Sequence, residues 1–120
     1  MLRIGSIVLK VDDCRRAAGF WGEALGYTAS PANPDFLTGP GPRLHLDETD
    51  RTHLDLWVDS AEEQAAEVDR LIGLGAQPVD WAYPDDADFV VLADPDGNLF
   101  CVVNAGDERR AQLPAGARQA

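Results

Sequence analysis

The sequence predicts an α+β fold in which two βαβββ repeats form one curved, mostly antiparallel sheet with a cleft, the helices lying on its outer face. Three observations lead there. "LKVDDCRRAA" and "LWVDSAEEQA" align at an offset of 47 residues, setting Leu9 on Leu56 and Val11 on Val58, so the chain repeats itself. The segments opening each half alternate apolar and polar residues, the two-residue period of a strand with one buried face. Each is followed by a stretch with helical spacing of apolar residues and a capping residue at its start.

In order along the chain, "IGSIVLKV" (4–11) puts Ile7, Leu9 and Val11 on one face and Ser6, Val8 and Lys10 on the other. Asp12 or Asp13 caps the helix that follows, in which Ala17, Phe20, Trp21, Ala24 and Leu25 share a stripe and Gly26 is placed to end it. The Pro- and Gly-rich stretch 27–42 supports only short strands around Tyr27 and Phe36, and "RLHLDE" (43–48) alternates again. The second half restarts with "THLDLWVDS", where Leu54, Leu56 and Val58 oppose His53, Asp55, Trp57 and Asp59. Ser60 and Glu63 have the spacing of a capping box, and Ala61, Ala65, Val68, Leu71 and Ile72 predict a helix over 61–74 that closes at Gly75. A strand in "AQPVDWAY", an acidic break, the strand "FVVLA", a "DPDGN" turn and the strand "LFCVV" complete the unit. In the turn, Pro95 presets φ and Gly97 suits a left-handed position. A calcium loop of the EF-hand type is excluded, because its glycine and closing glutamate would fall at other spacings.

A chain of 120 residues with 45% hydrophobic content is the size of one domain, here 1–105, with units at about 3–48 and 51–105 and a flexible or surface-lying tail at 106–120. The formal charge of -11 argues against nucleic acid or an anionic membrane as partner. Cys14 and Cys101 are too few for a disulfide framework, no apolar run approaches a membrane span, and charges interrupt the opening apolar stretch, so a cytoplasmic protein is expected.

Strand parity points Lys10, Arg43, His45, His53, Asp55, Trp57, Cys101 and Val103 into the cleft. Trp57, on the polar face of its strand, either lines a ligand pocket or fills a subunit interface. Trp81 and Tyr83 either rim the cleft or pack locally. His53 is either a ligand or a histidine bonded to Asp55 or a carbonyl, and Cys101 is either a ligand or a small buried hydrophobe. No base and nucleophile pair stands out, so no catalytic residue is assigned.

"VLKVDDCRRAAGFWGEALGY", "HLDLWVDS" and the closing "LADPDGNLFCVV" together resemble the glyoxalase-like proteins of the vicinal oxygen chelate superfamily, over about residues 4–104. This superfamily includes metal-dependent lyases, isomerases and dioxygenases beside metal-free antibiotic-binding proteins, so the resemblance leaves open whether the chain is an enzyme. It implies a homodimer. It also implies metal positions at Ser6, at His45 or a neighbour on its strand, at His53 and at Cys101, where the usual set of two histidines and two glutamates is absent. The expectation is therefore a small-molecule binder without the usual metal, using Arg43, His45, His53, Asp55, Trp57, Trp81 and Cys101. The alternative is a lyase or isomerase holding a divalent metal such as Zn or Ni on His53 with His45 and Cys101.

Overall fold

The structure is a computed structural model that describes residues 1–106, so the expected tail lies outside the described residues from 107 onward. The elements appear in the order the repeat predicts. They are β1 (Arg3–Lys10), α1 (Cys14–Leu25), β2 (Thr28–Ser30), β3 (Asn33–Thr38), β4 (Arg43–Asp47), β5 (His53–Val58), α2 (Ala61–Gly73), β6 (Gln77–Pro78), β7 (Phe89–Ala93) and β8 (Leu99–Asn104).

The strands form one open, curved eight-stranded sheet in the order β2-β3-β4-β1-β5-β8-β7-β6. Its pairings are antiparallel except β1 with β4 and β5 with β8, which run parallel. The halves meet where β1 pairs antiparallel with β5, and there Ile7 faces Leu54. These two residues are also equivalent in the repeat, so an internal two-fold axis passes between them.

Both helices cover the same sheet face. Asp13 caps α1 by accepting the Arg16 N–H, and Gly26 at φ +69° ends it. The helix closes over Leu37, Leu44 and Leu46, with Ile7, Leu9 and Trp21 packed alongside. At α2 the capping box forms as the spacing predicts, the Ser60 hydroxyl accepting from Glu63 N–H while the Glu63 carboxylate accepts from Asp59 N–H. Val68 and Leu71 of α2 pack on Val58, Leu92 and Val102. Each such side chain removed from water contributes about 1.5–3 kcal/mol, which fixes which face the helices take. Among the described residues, no helix is long and apolar enough to cross a membrane.

One strand is shorter than the pattern suggests. Within "AQPVDWAY" only Gln77 and Pro78 pair with β7, since Pro78 has no N–H to extend the ladder. The Val91 N–H instead donates to the Tyr83 hydroxyl at 2.8 Å, a side chain standing in for backbone. The "DPDGN" segment is a turn: Asp94 accepts from the N–H groups of Asp96 and Asn98, and Gly97 lies at φ +88°.

Candidate functional site

The face turned away from the helices carries the candidate residues, and the register sets their places. Phe36, His45, Val8 and His53 form one row across β3, β4, β1 and β5. Arg43, Ser6, Asp55, Cys101 and Val91 form the next, from β4 to β7. Trp57, Val103 and Phe89 form a third. Laterally paired residues point to the same side of a sheet, so these rows are continuous surfaces.

Within the second row and its neighbour, three groups converge. His53 Nδ1 lies 2.7 Å from the Arg51 carbonyl oxygen, which can only accept, so Nδ1 carries a hydrogen. Its Nε2 sits 3.2 Å from Asp55 Oδ1. Hydrogen bonding to Asp55, and next to Cys101, holds a proton on the ring and pushes its pKa up to about 11. Burial pushes the Cys101 thiol up, an effect that the hydrogen bond from His53 partly opposes. With Nδ1 engaged by backbone, Nε2 is the nitrogen that faces Asp55. The donor atoms of His53, Asp55 and Cys101 all lie within 4.8 Å of one another.

The other end of the face is aromatic and cationic. The Arg43 guanidinium carbon lies 3.9 Å from the Phe36 ring centroid and 5.0 Å from that of Trp57, and its Nε donates to the Ser6 hydroxyl at 3.3 Å. Arg43 is 6% exposed and Ser6 fully buried, so Ser6 is covered by Arg43 and is no open metal position. An irregularity in β1 between Ile4 and Ser6 lets Gly5 lie flat against the indole of Trp57, where any Cβ would enter the ring. Trp57 is 8% exposed, packed with Val103 and Ala105, and its Nε1 is a buried donor without a hydrogen-bond partner among the described residues.

His53, Asp55 and Cys101 are thus brought together, and Arg43 and Trp57 form a second group beside them. His45 stands apart. Both histidines flank Val8 in the register, one on each side, which separates them by two strand spacings of roughly 5 Å each. His45 meets Phe36 edge-on at 4.5 Å between centroids, and burial, then Arg43, holds its pKa down. Asp55, rather than His45, is the third donor beside His53 and Cys101. Trp81 is 42% exposed and joins neither group. Phe36, Gly5 and Arg3, whose guanidinium lies 6.0 Å from the Trp57 ring, were not singled out by pattern. The signal for Gly5 is the break in alternation at "RIGSI".

The sequence matches the family described as "Glyoxalase-like domain" over residues 6–103. Among solved structures, the fold is similar to an NAD-dependent benzaldehyde dehydrogenase from Legionella pneumophila, at 16% identity and TM-score 0.61, covering 82% of this chain and 96% of that one. It is also similar to a glyoxalase/bleomycin resistance protein/dioxygenase superfamily member from Vibrio splendidus 12B01, at 19% identity and TM-score 0.54, covering 85% of this chain and 97% of that one. At such identities the likeness concerns the fold alone. A search of the curated proteins finds no significant match.

Proposed function

The chain belongs to the glyoxalase-like domain family, and on that premise we propose that it binds a small organic molecule on the open face of its sheet. One observation carries this reading: the helix-free face gathers the polar side chains Arg43, His45, His53, Asp55 and Cys101, whereas the reverse face packs apolar side chains against the two helices. Half-buried polar groups cost free energy unless they meet partners, and a face used only for packing would carry none. In this reading Trp57 supplies aromatic surface, while Arg43, His53 and Asp55 orient polar groups of the ligand. Tryptophan emission, followed against a panel of metabolites and antibiotics, tests it. A bound compound should change the emission of wild type and of Trp81→Phe but leave Trp57→Phe silent. A signal that persists in Trp57→Phe and vanishes in Trp81→Phe would move the site off this face.

A second reading rests on the converging donors. His53, Asp55 and Cys101 suit zinc, which accepts nitrogen, oxygen and sulfur from three protein ligands with one position left open. The thiolate disfavours the harder magnesium or manganese, and the Arg51 carbonyl orients the imidazole as an outer-shell partner would. When bound, the metal would supply Lewis-acid polarisation of a ligand oxygen, as a lyase or isomerase requires. Elemental analysis decides the matter. One equivalent of zinc that is lost in His53→Ala and in Cys101→Ser, but kept in His45→Ala, is the expected result. Protein that stays metal-free after incubation with zinc and gel filtration removes this reading and leaves the first intact.

A further inference from the structure

On the helix side of the sheet, between α2 and the turn that precedes β8, is a cavity of about 550 Å³. Its walls are Ile7, Leu54, Leu56, Leu71, Leu99 and Phe100, and its rim is polar, formed by residues 51–53 and by Asp94, Gly97 and Asn98. We propose that this cavity binds the aliphatic chain of a singly charged amphiphile, a medium-chain carboxylate, with Arg51 meeting the head group. It is a second site, separate from the open face and independent of what binds there.

The helices create this hollow by parting over the centre of the sheet. Leu37, Leu44 and Leu46 are buried under α1, and Val58, Leu92 and Val102 under α2. Leu54, paired with Ile7 at the internal axis, lies between those clusters and stays exposed although its strand is central in the sheet. Water against such a surface is unfavourable, and a hydrocarbon chain that displaces it gains in proportion to the apolar area it covers. The volume lies within the range of small-molecule sites. The wall side chains carry no polar atom, so they select hydrocarbon and the polar part of the ligand must stay at the rim. There the two charged side chains differ. The Asp94 carboxylate is turned into its own turn, accepting from Asp96 N–H, Asn98 N–H and the Asn98 side-chain amide. Arg51 is exposed, and among the described residues no acceptor pairs with its guanidinium. Beside it, the Thr52 hydroxyl accepts from Lys10 N–H and keeps its own hydrogen to donate. A carboxylate at the rim therefore finds an uncommitted cation whose planar fork matches it, next to a hydroxyl donor. A neutral head group forgoes the ion pair, and a cationic one would face Arg51.

Titration of methyl-labelled protein with hexanoate, heptanoate and octanoate, and with octanol as the uncharged control, tests the proposal in ¹H–¹³C correlation spectra, where the Ile7 and Leu54 methyls report directly. Both methyl sets should shift, and each added methylene should tighten binding about threefold, a little less than its complete removal from water would give. Arg51→Gln should weaken octanoate about threefold, as an exposed ion pair predicts, and leave octanol unchanged. Because Arg51 is exposed, this variant keeps the fold. Affinity that does not rise with chain length, octanoate binding unaltered in Arg51→Gln, or octanoate shifts confined to Trp57 and Phe89 overturns the proposal and leaves the reading of the open face untouched. In ligand-free protein, Ile7 and Leu54 methyl signals that move with protein concentration, or that show nuclear Overhauser contacts to residues 107–120, would put a second copy or that segment in the cavity and overturn it equally.

Discussion

Replacing Gly5 with alanine is expected to lower the melting temperature by roughly 10 °C. The reason is close approach and not backbone conformation, since Gly5 has no positive φ. Its missing side chain is the space that the Trp57 indole fills, and the indole is itself held by Val103 and Ala105 behind it and by Arg43 beside it. Neither partner can yield without opening the sheet where β1 meets β5. Overpacking of this kind costs about 1–3 kcal/mol even when neighbours shift. The control is Gly19→Ala, a helical glycine on α1 with open space where its Cβ would lie, which should leave the protein as stable or slightly more so. Differential scanning calorimetry of the pair measures both, and a Gly5→Ala variant that melts with wild type would show that the indole does not pack on β1 as described.

The second large effect is electrostatic. In protein freed of metal by chelation, the His53 ring should stay protonated from about pH 5 to pH 9, and Asp55→Asn should return its titration to the ordinary histidine range. The folded-state pKa, about 11, lies above the unfolded value near 6.5. The unfolded chain therefore releases this proton first. The ion pair stabilises the fold fully below pH 6.5, and that contribution declines as pH rises toward 11. Wild type should lose stability over that window while Asp55→Asn, lacking the pair, shows a flatter profile. Proton NMR of the imidazole Cε1–H against pH gives the titration, and thermal melts across the same range give the linkage. A wild-type midpoint near 6.5 would mean that Asp55 and Cys101 do not engage the His53 ring in solution.

Much of this was legible beforehand because strand alternation is local. Leu54, Leu56 and Val58 share the helix side of β5, where Val58 is fully buried although Leu54 stays 39% exposed, so His53, Asp55 and Trp57 turn the other way, and the same logic placed Cys101. What alternation does not contain is the lateral order of strands. His45 and His53 share a face but lie two strands apart, because β1 comes between β4 and β5, and the donors gathered with His53 are those of Asp55 and Cys101. For the same reason Asp55, two residues along the strand from His53, was assigned to orienting a ligand and not to the trio with Cys101. Phe36 was hidden in a segment dominated by Pro and Gly, where pairing with His45 depends on the fold and not on any periodicity. Trp81 shows the converse limit: an aromatic residue near the end of an expected strand reads as a rim residue, but the strand stops at Pro78 and leaves the indole outside both groups.

Rotation about the axis between Ile7 and Leu54 carries His53 onto Ser6, Asp55 onto Val8 and, through the parallel neighbours, Cys101 onto His45. The mirror trio is therefore Ser6, Val8 and His45: one side of the molecule holds chemistry that its twin has exchanged for a covered hydroxyl, a methyl-lined wall and a ring packed edge-on against Phe36. Scaffold is what the halves have in common, and reactivity is where they disagree. A chain rewritten as Ser6→His, Val8→Asp and His45→Cys would accordingly carry the same constellation twice, left and right of its own seam.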